Sequence, residues 1–221
     1  MPILDILSNY RAAFLAGLSV TLELALLVWS IGIATGVLIG AAAARWRFLF
    51  GVPARAISFF LTSVPVLALL FWVHYPLQAE LHVVINGFFT AVGVLATLNA
   101  ALVFEVVRNV LTDFPRQYVD AGRVAGLTAR DIFRYIQFPI VLRQALPSVL
   151  MIQVGMLQAT LFASLISVDE LFRIAQRINA QIYRPVEVYT AVAMIYLLLT
   201  MPMTAGALWL RARYTRDFSE K

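Results

Sequence analysis

The sequence predicts an all-α integral membrane protein of about five transmembrane helices, forming one domain over residues 1–221. Three observations predict it. Of the 221 residues, 62% are hydrophobic and only 13% are charged, a balance far from that of a soluble globule. Five long apolar runs follow one another, each near the length needed to cross a hydrocarbon layer as a helix. The basic residues gather in alternate connections between those runs.

Composition also removes several function classes. There is no Cys, so the chain offers neither a disulfide nor a thiolate. His74 and His82 are the only histidines, thin material for a metal site, and no metal and no catalytic residue is expected. The one Lys is Lys221, so a Gly-rich phosphate loop with its gripping Lys cannot be built. No cofactor is expected: any ATP used would be bound and hydrolysed by another polypeptide. The net charge of +5 raises nucleic acid as a partner, but the Arg residues punctuate apolar spans instead of covering a soluble face. Membrane lipid is the expected surrounding.

Residues 1–11 are short and mixed, and the first apolar run continues to about Ala44, too long and too weakly basic at its start for a cleaved signal peptide. Gly32, Gly36 and Gly40 recur every four residues, which puts them on one helix face and invites a close neighbour. Glu23 is an ionisable group inside this run, either functional or close to the outer interface. The second run, about Ala56 to Tyr75, contains Pro65, whose freed carbonyl implies a kinked helix facing a cavity or a neighbour. The third, Val83 to Val107, ends in Glu105 and Arg108, spaced for an ion pair on one face. The fourth run follows Pro147 and reaches about Val168, interrupted by Gln153, Gln158, Thr160 and Ser164. The fifth, Val188 to Leu210, closes on Arg211, Arg213, Arg216 and Lys221.

Between the third and fourth runs lies an amphipathic, Arg-rich connection, about 112–146. Gly126 can end one short helix in the left-handed conformation, and Thr128 with Asp131 makes a capping-box start for the next. That second helix sets Ile132, Phe133 and Ile136 on one side and Arg130, Asp131 and Arg134 on the other, until Pro139 bends or ends it. Pro147 then opens the fourth run.

These residues resemble the signature loop of ABC-importer permeases of type I, through Asp120, Ala121, Gly122, Gly126, Ile140 and Leu146-Pro147. The longer form, with Pro139 and Arg143-Gln144-Ala145-Leu146-Pro147, resembles the polar amino-acid branch, the histidine, glutamine and arginine type. The resemblance extends through Gly17-Leu18, Leu98-Asn99, Asp169-Glu170-Leu171 and Tyr183 to Tyr189. It implies a transport subunit whose loop forms coupling helices seated on a cytoplasmic ATP-binding subunit present in two copies. It further implies a second permease subunit, identical or homologous, and an extracytoplasmic substrate-binding protein. Asp120, Ala121, Gly126, Leu127, Arg130, Asp131, Pro139 and Pro147 are then the coupling residues: Asp120 and Gly126 hold the turn, and Arg130 and Asp131 face the ATPase. Ser63, Pro65, Gln153, Gln158 and Thr160 are candidates for the substrate pathway. Thr62, Gln158 and Ala159 depart from the family pattern, which usually carries charges there, so substrate grip by this subunit stays open.

Arg45, Arg47, Arg55, the six Arg from Arg108 to Arg143, and the four C-terminal charges fall on one side under five spans. Arg11, Arg173, Arg177 and Arg184 fall on the other, 4 of the 17 Lys and Arg. The positive-inside rule places the C-terminus and the loop in the cytoplasm and the N-terminus outside, in a bacterial inner membrane. Two alternatives stand beside the amino-acid importer. One is an ion-coupled secondary transporter, for which only Glu23 speaks and no inverted repeat is visible. The other is an importer permease for a different solute.

Overall fold

The computed structural model describes residues 3–219, with side chains to Tyr214. Lys221 and the side chain of Arg216, both counted in the charge argument, lie outside the described residues. Helix α1 is Ile3–Asn9 and α2 is Arg11–Arg45. The pair α3, Arg47–Ser63, and α4, Val66–Glu80, follows with a bend of 97° between them. Next come α5, Gly87–Thr112, and the short α6, Arg116–Val124. Helix α7, Ala129–Ile166, is one long element; α8 is Leu171–Ile182 and α9 is Pro185–Ser219. Helices α2, α5, α7 and α9 are each long and apolar enough to cross a membrane, and the bent pair makes a fifth span if taken together.

The small-residue face of α2 sets the core. A Cβ on Gly32 would fall 2.5 Å from Asn99 Nδ2, one on Gly36 2.7 Å from Val103 Cβ, and one on Gly40 2.9 Å from Val107 Cβ. Each step of four on α2 therefore meets a step of four on α5, and the two helices run parallel at backbone contact. Residues 45 and 112 consequently lie at the same end. The bent pair between α2 and α5 must carry the chain back across, so it acts as a broken span. Gly87, opening α5, packs on the Ile166 carbonyl that closes α7, so α7 is antiparallel to α5. Arg143 lies over the Tyr214 ring at 5.9 Å, which sets α9 antiparallel to α7.

Proline positions need correction. Pro65 does more than kink its helix: Val64 and Pro65 leave the helical region altogether, with ψ of 131° and 133°. Pro139 neither bends nor ends its helix. The turn before it widens to a π-helix, Ile132–Gln137, in which the Phe138 amide bonds to the Phe133 carbonyl five residues back. Such widening relieves the clash of a Pro ring with the turn before it. Arg47–Gly51 widens likewise before Pro53, and Val73–Leu77 around Pro76. Pro147 is buried inside α7 instead of opening a span. The fourth span thus begins some twenty residues earlier than the apolar run suggests, and the loop's second helix is its first turns.

Candidate functional site

The connection between α5 and α7 is built by two local devices. Helix α6 ends as its C-terminal amides fold back: Gly126 N–H bonds to the Arg123 carbonyl and Leu127 N–H to the Gly122 carbonyl, both at 3.0 Å. This pairing requires a left-handed residue at the turn, and Gly126 supplies it with φ +79°. Thr128 then caps α7: its Oγ1 accepts the Asp131 N–H at 3.2 Å while its own hydroxyl donates to the Asp131 carboxylate. The two elements lie together because Gly122 is small, with Ile132 Cγ1 only 3.0 Å from where its Cβ would stand.

Several expected roles shift. Asp120 takes no part in the turn; its Oδ1 accepts from Arg123 Nη1 at 3.3 Å on the exposed side of α6. Asp131 is half-buried, and its carboxylate accepts from the Thr128 hydroxyl. Of the predicted apolar trio only Ile132 is buried, Ile136 is half-buried and Phe133 is exposed. The widened turn rotates the following side chains off the 3.6-residue register on which that grouping rests. Ala121, Leu127 and Arg130 are exposed, and Pro139 is half-buried.

What remains outward is an apolar knob inside a basic collar. Val124 is 91% exposed, and Phe133 and Phe138, whose ring centroids lie 6.1 Å apart, are exposed too, in a segment that also carries the exposed Arg116, Arg123, Arg130 and Arg134. An exposed aromatic and aliphatic group rimmed by charge is the signature of a protein-docking surface. Val124 was not among the expected coupling residues, yet an apolar residue in the last turn of a short, polar helix is a readable sign.

The pathway candidates divide into two groups. Ser63 and Pro65 stand exposed at the bend, where Ser63 Oγ donates to the Phe59 carbonyl at 2.7 Å. Gln158 is exposed on the α7 face that also carries Ser148, Met151 and Gly155. Gln153 and Thr160 are buried inside the chain. Gln153 Nε2 donates to Asn99 Oδ1 at 3.1 Å, Asn99 Nδ2 donates to Gln153 Oε1 at 2.9 Å and to the Val28 carbonyl at 3.0 Å, and Trp29 Nε1 reaches the Gln153 carbonyl. This knot joins α2, α5 and α7. Thr160 Oγ1 donates to the Leu157 carbonyl. Glu23 is exposed on α2.

At the opposite end from the knob, in the connection between α7 and α9, Glu170 is fully buried and caps α8 by accepting the Phe172 and Arg173 N–H groups. Burial pushes its carboxyl up to about 7 against the lowering effect of those bonds. Tyr196 hydroxyl lies 3.4 Å from its Oε2, and Thr21 Oγ1 accepts the Leu171 N–H. Together these bonds pin α8 to α2 through Thr21 and to α9 through Tyr196.

Comparisons with known proteins agree with this arrangement. Residues 32–216 match the family described as binding-protein-dependent transport system inner membrane component. The octopine transport system permease protein OccM of Rhizobium meliloti is 32% identical over 92% of this chain and 89% of its own length. The histidine/lysine/arginine/ornithine transport system permease protein HisQ of Salmonella typhimurium is 26% identical over 95% of this chain and 96% of its own. The glutamine transport system permease protein GlnP of Escherichia coli is 27% identical over 79% and 82%. The fold matches the crystal structure of an amino acid ABC transporter with histidines at a TM-score of 0.84, 24% identity, 96% of this chain and 99% of that one. It also matches the MetNI methionine ABC transporter in an inward-facing form at 0.72, with 18% identity over 92% and 97%. The chain therefore belongs to the binding-protein-dependent transport system inner membrane components, as a permease subunit with the all-helical fold of a type I importer.

Proposed function

We propose that this chain is the membrane permease of an ATP-driven importer for amino acids or their close derivatives, and that it works as a single membrane domain. The observation that carries the reading is chain-long similarity to permeases named for octopine, histidine and its basic companions, and glutamine. All are α-amino acids or built from them. The apolar knob on α6 and the first turns of α7 docks on a separate cytoplasmic ATP-binding subunit, with a pair of these serving two permease subunits. An extracytoplasmic binding protein delivers the solute to the end that carries α8. Because α7 continues unbroken from the knob to Ile166, displacement of the knob moves Gln158 and the outer end of the same rod. Ser63 and Pro65 at the bend and Gln158 on the open face of α7 line the pathway, while Gln153 and Thr160 shape it from behind.

The test is a pull-down of the tagged chain from mild-detergent membranes with mass spectrometry of what copurifies. An ATP-binding subunit is expected, and its absence in several detergents sinks the reading. Gly126→Val in the reconstituted complex adds a functional arm. A β-branched residue in the left-handed region costs about 1–2 kcal/mol, so binding-protein-stimulated hydrolysis should fall about tenfold with membrane levels unchanged. Unaltered stimulation would count against the knob as the coupling element.

A further inference from the structure

We propose that a pocket at the Arg-rich ends of α2, α3 and α5 is a binding site for the phosphodiester headgroup of an anionic phospholipid. The cavity holds about 310 Å³ and every charged side chain lining it is an Arg: Arg47, Arg55 and Arg108. Ala43, Val52 and Gly51 form much of the rest, so the wall is small and apolar between three guanidinium groups. Arg47 and Arg55 make no hydrogen bond or ion pair among the described residues. Arg108 spends Nη2 on Glu105 at 3.2 Å and on Asn109 at 2.8 Å, and its Nε is buried with no hydrogen-bond partner. A buried unsatisfied donor costs free energy, and guanidinium groups satisfy themselves best on a phosphoryl or carboxylate acceptor.

The source of that acceptor follows from what surrounds the pocket. The π-helical turn Arg47–Gly51 forms one rim, and it turns Phe48 outward at 85% exposure, with Trp46, Leu49 and Phe50 also exposed. Three aromatic rings and a Leu at the end of two membrane spans form an interfacial belt, where a headgroup and the top of its acyl chains meet protein. A ligand that carries one negative charge and two hydrocarbon chains matches both halves of this surface. Basic pockets between spans on one membrane face recognise acidic headgroups in this way. The apolar knob of α6 and α7 is a different surface, so a docked ATPase is not needed for the site. The proposal uses the membrane reading of the chain but not the importer reading.

Native mass spectrometry of the detergent-purified complex, titrated separately with dioleoylphosphatidylglycerol, dioleoylphosphatidylcholine and inorganic phosphate, tests it. Retention of phosphatidylglycerol about tenfold or more above phosphatidylcholine, lost in Arg47→Gln/Arg55→Gln and kept in Arg213→Gln, is expected. Arg55→Lys, which keeps the charge but not the planar fork, should fall between. Equal retention of the two lipids, or undiminished phosphatidylglycerol in the double variant, overturns the proposal. Inorganic phosphate displacing the lipid at equal concentration overturns the lipid source. If the double variant fails to reach the membrane, the lipid preference of the native chain and of Arg55→Lys decides. The same spectra report whether an ATPase is bound, so failure of the importer reading and of this site are read apart.

Discussion

A carboxamide inside a membrane span has no water to fall back on, and Asn99 and Gln153 answer that by satisfying one another. Asn99 is fully buried and Gln153 is 3% exposed. Between them their two NH₂ groups find four acceptors: each other's oxygens and the carbonyls of Val28 and Val149. In the bilayer the unfolded spans also find partners, so such a pair is worth about 0.6–2 kcal/mol and not the full value of bonds in vacuum. Removing one member is costlier than removing both, because the survivor is stranded. Asn99→Ala and Gln153→Ala should each lower stability by about 1–3 kcal/mol, with the double variant well short of their sum. Thermal unfolding of the four proteins of this cycle in one detergent measures the coupling. Additive losses would show that the two amides do not depend on each other. Gln153 was legible as a polar residue interrupting a span, and it stood beside Gln158 among the pathway candidates. Periodicity gives an angle around one helix and says nothing about which neighbour fills it, so the pairing with Asn99 was not legible.

At the scale of elements, the contact that positions everything else is α2 against α5. Its signal was plain in the sequence, because glycine every four residues has little other use in a span. The partner and the parallel direction had to come from the fold. Gly36→Val would drive a branched side chain into Val103 and the Ala100 carbonyl, 2.7 and 2.8 Å from the first added carbon. Overpacking of this kind costs about 1–3 kcal/mol or more, and backbone is the obstacle. Gly93, also on α5, has nothing within 4 Å of an added Cβ, so Gly93→Ala should hold or gain stability. Detergent thermal shift of the two variants checks the contrast; similar behaviour in both would mean that the helices separate easily. Prolines were the harder signs. Pro65 was read as a kink, Pro139 as a bend or an end, and Pro147 as the opening of a span. The chain instead widens a turn and keeps its remaining bonds, as before Pro139, or packs the ring away, as at Pro147. Only at Pro65 did the break exceed what the residue announces, because Val64 before it is itself driven to extended geometry.

Across the whole molecule, helix directions sort the charge. Parallel α2 and α5 and antiparallel α7 and α9 bring Arg47, Arg55 and Arg108, the collar of the knob, and Arg143 with Tyr214 to one end. The other end holds α1, the loop around His82, and α8, whose Arg177 and Arg173 are paired with Asp169 at 2.7 and 3.7 Å. Free positive charge is therefore more lopsided than the count of Arg residues suggests, since part of the minority is neutralised locally. We propose that a bilayer crossing biased by this asymmetry leaves the knob in the cytoplasm. The chain has no Cys, so a single introduced thiol reports its own side without background. His82→Cys and Tyr183→Cys, both exposed residues at the α8 end, should react with a membrane-impermeant maleimide in intact cells. Val124→Cys should react only after permeabilisation. The reverse pattern would put the exposed Val124 and Phe133 outside, away from every ATP-binding subunit. Coupling through α7 would then have no driver, whatever the similarity of the sequence.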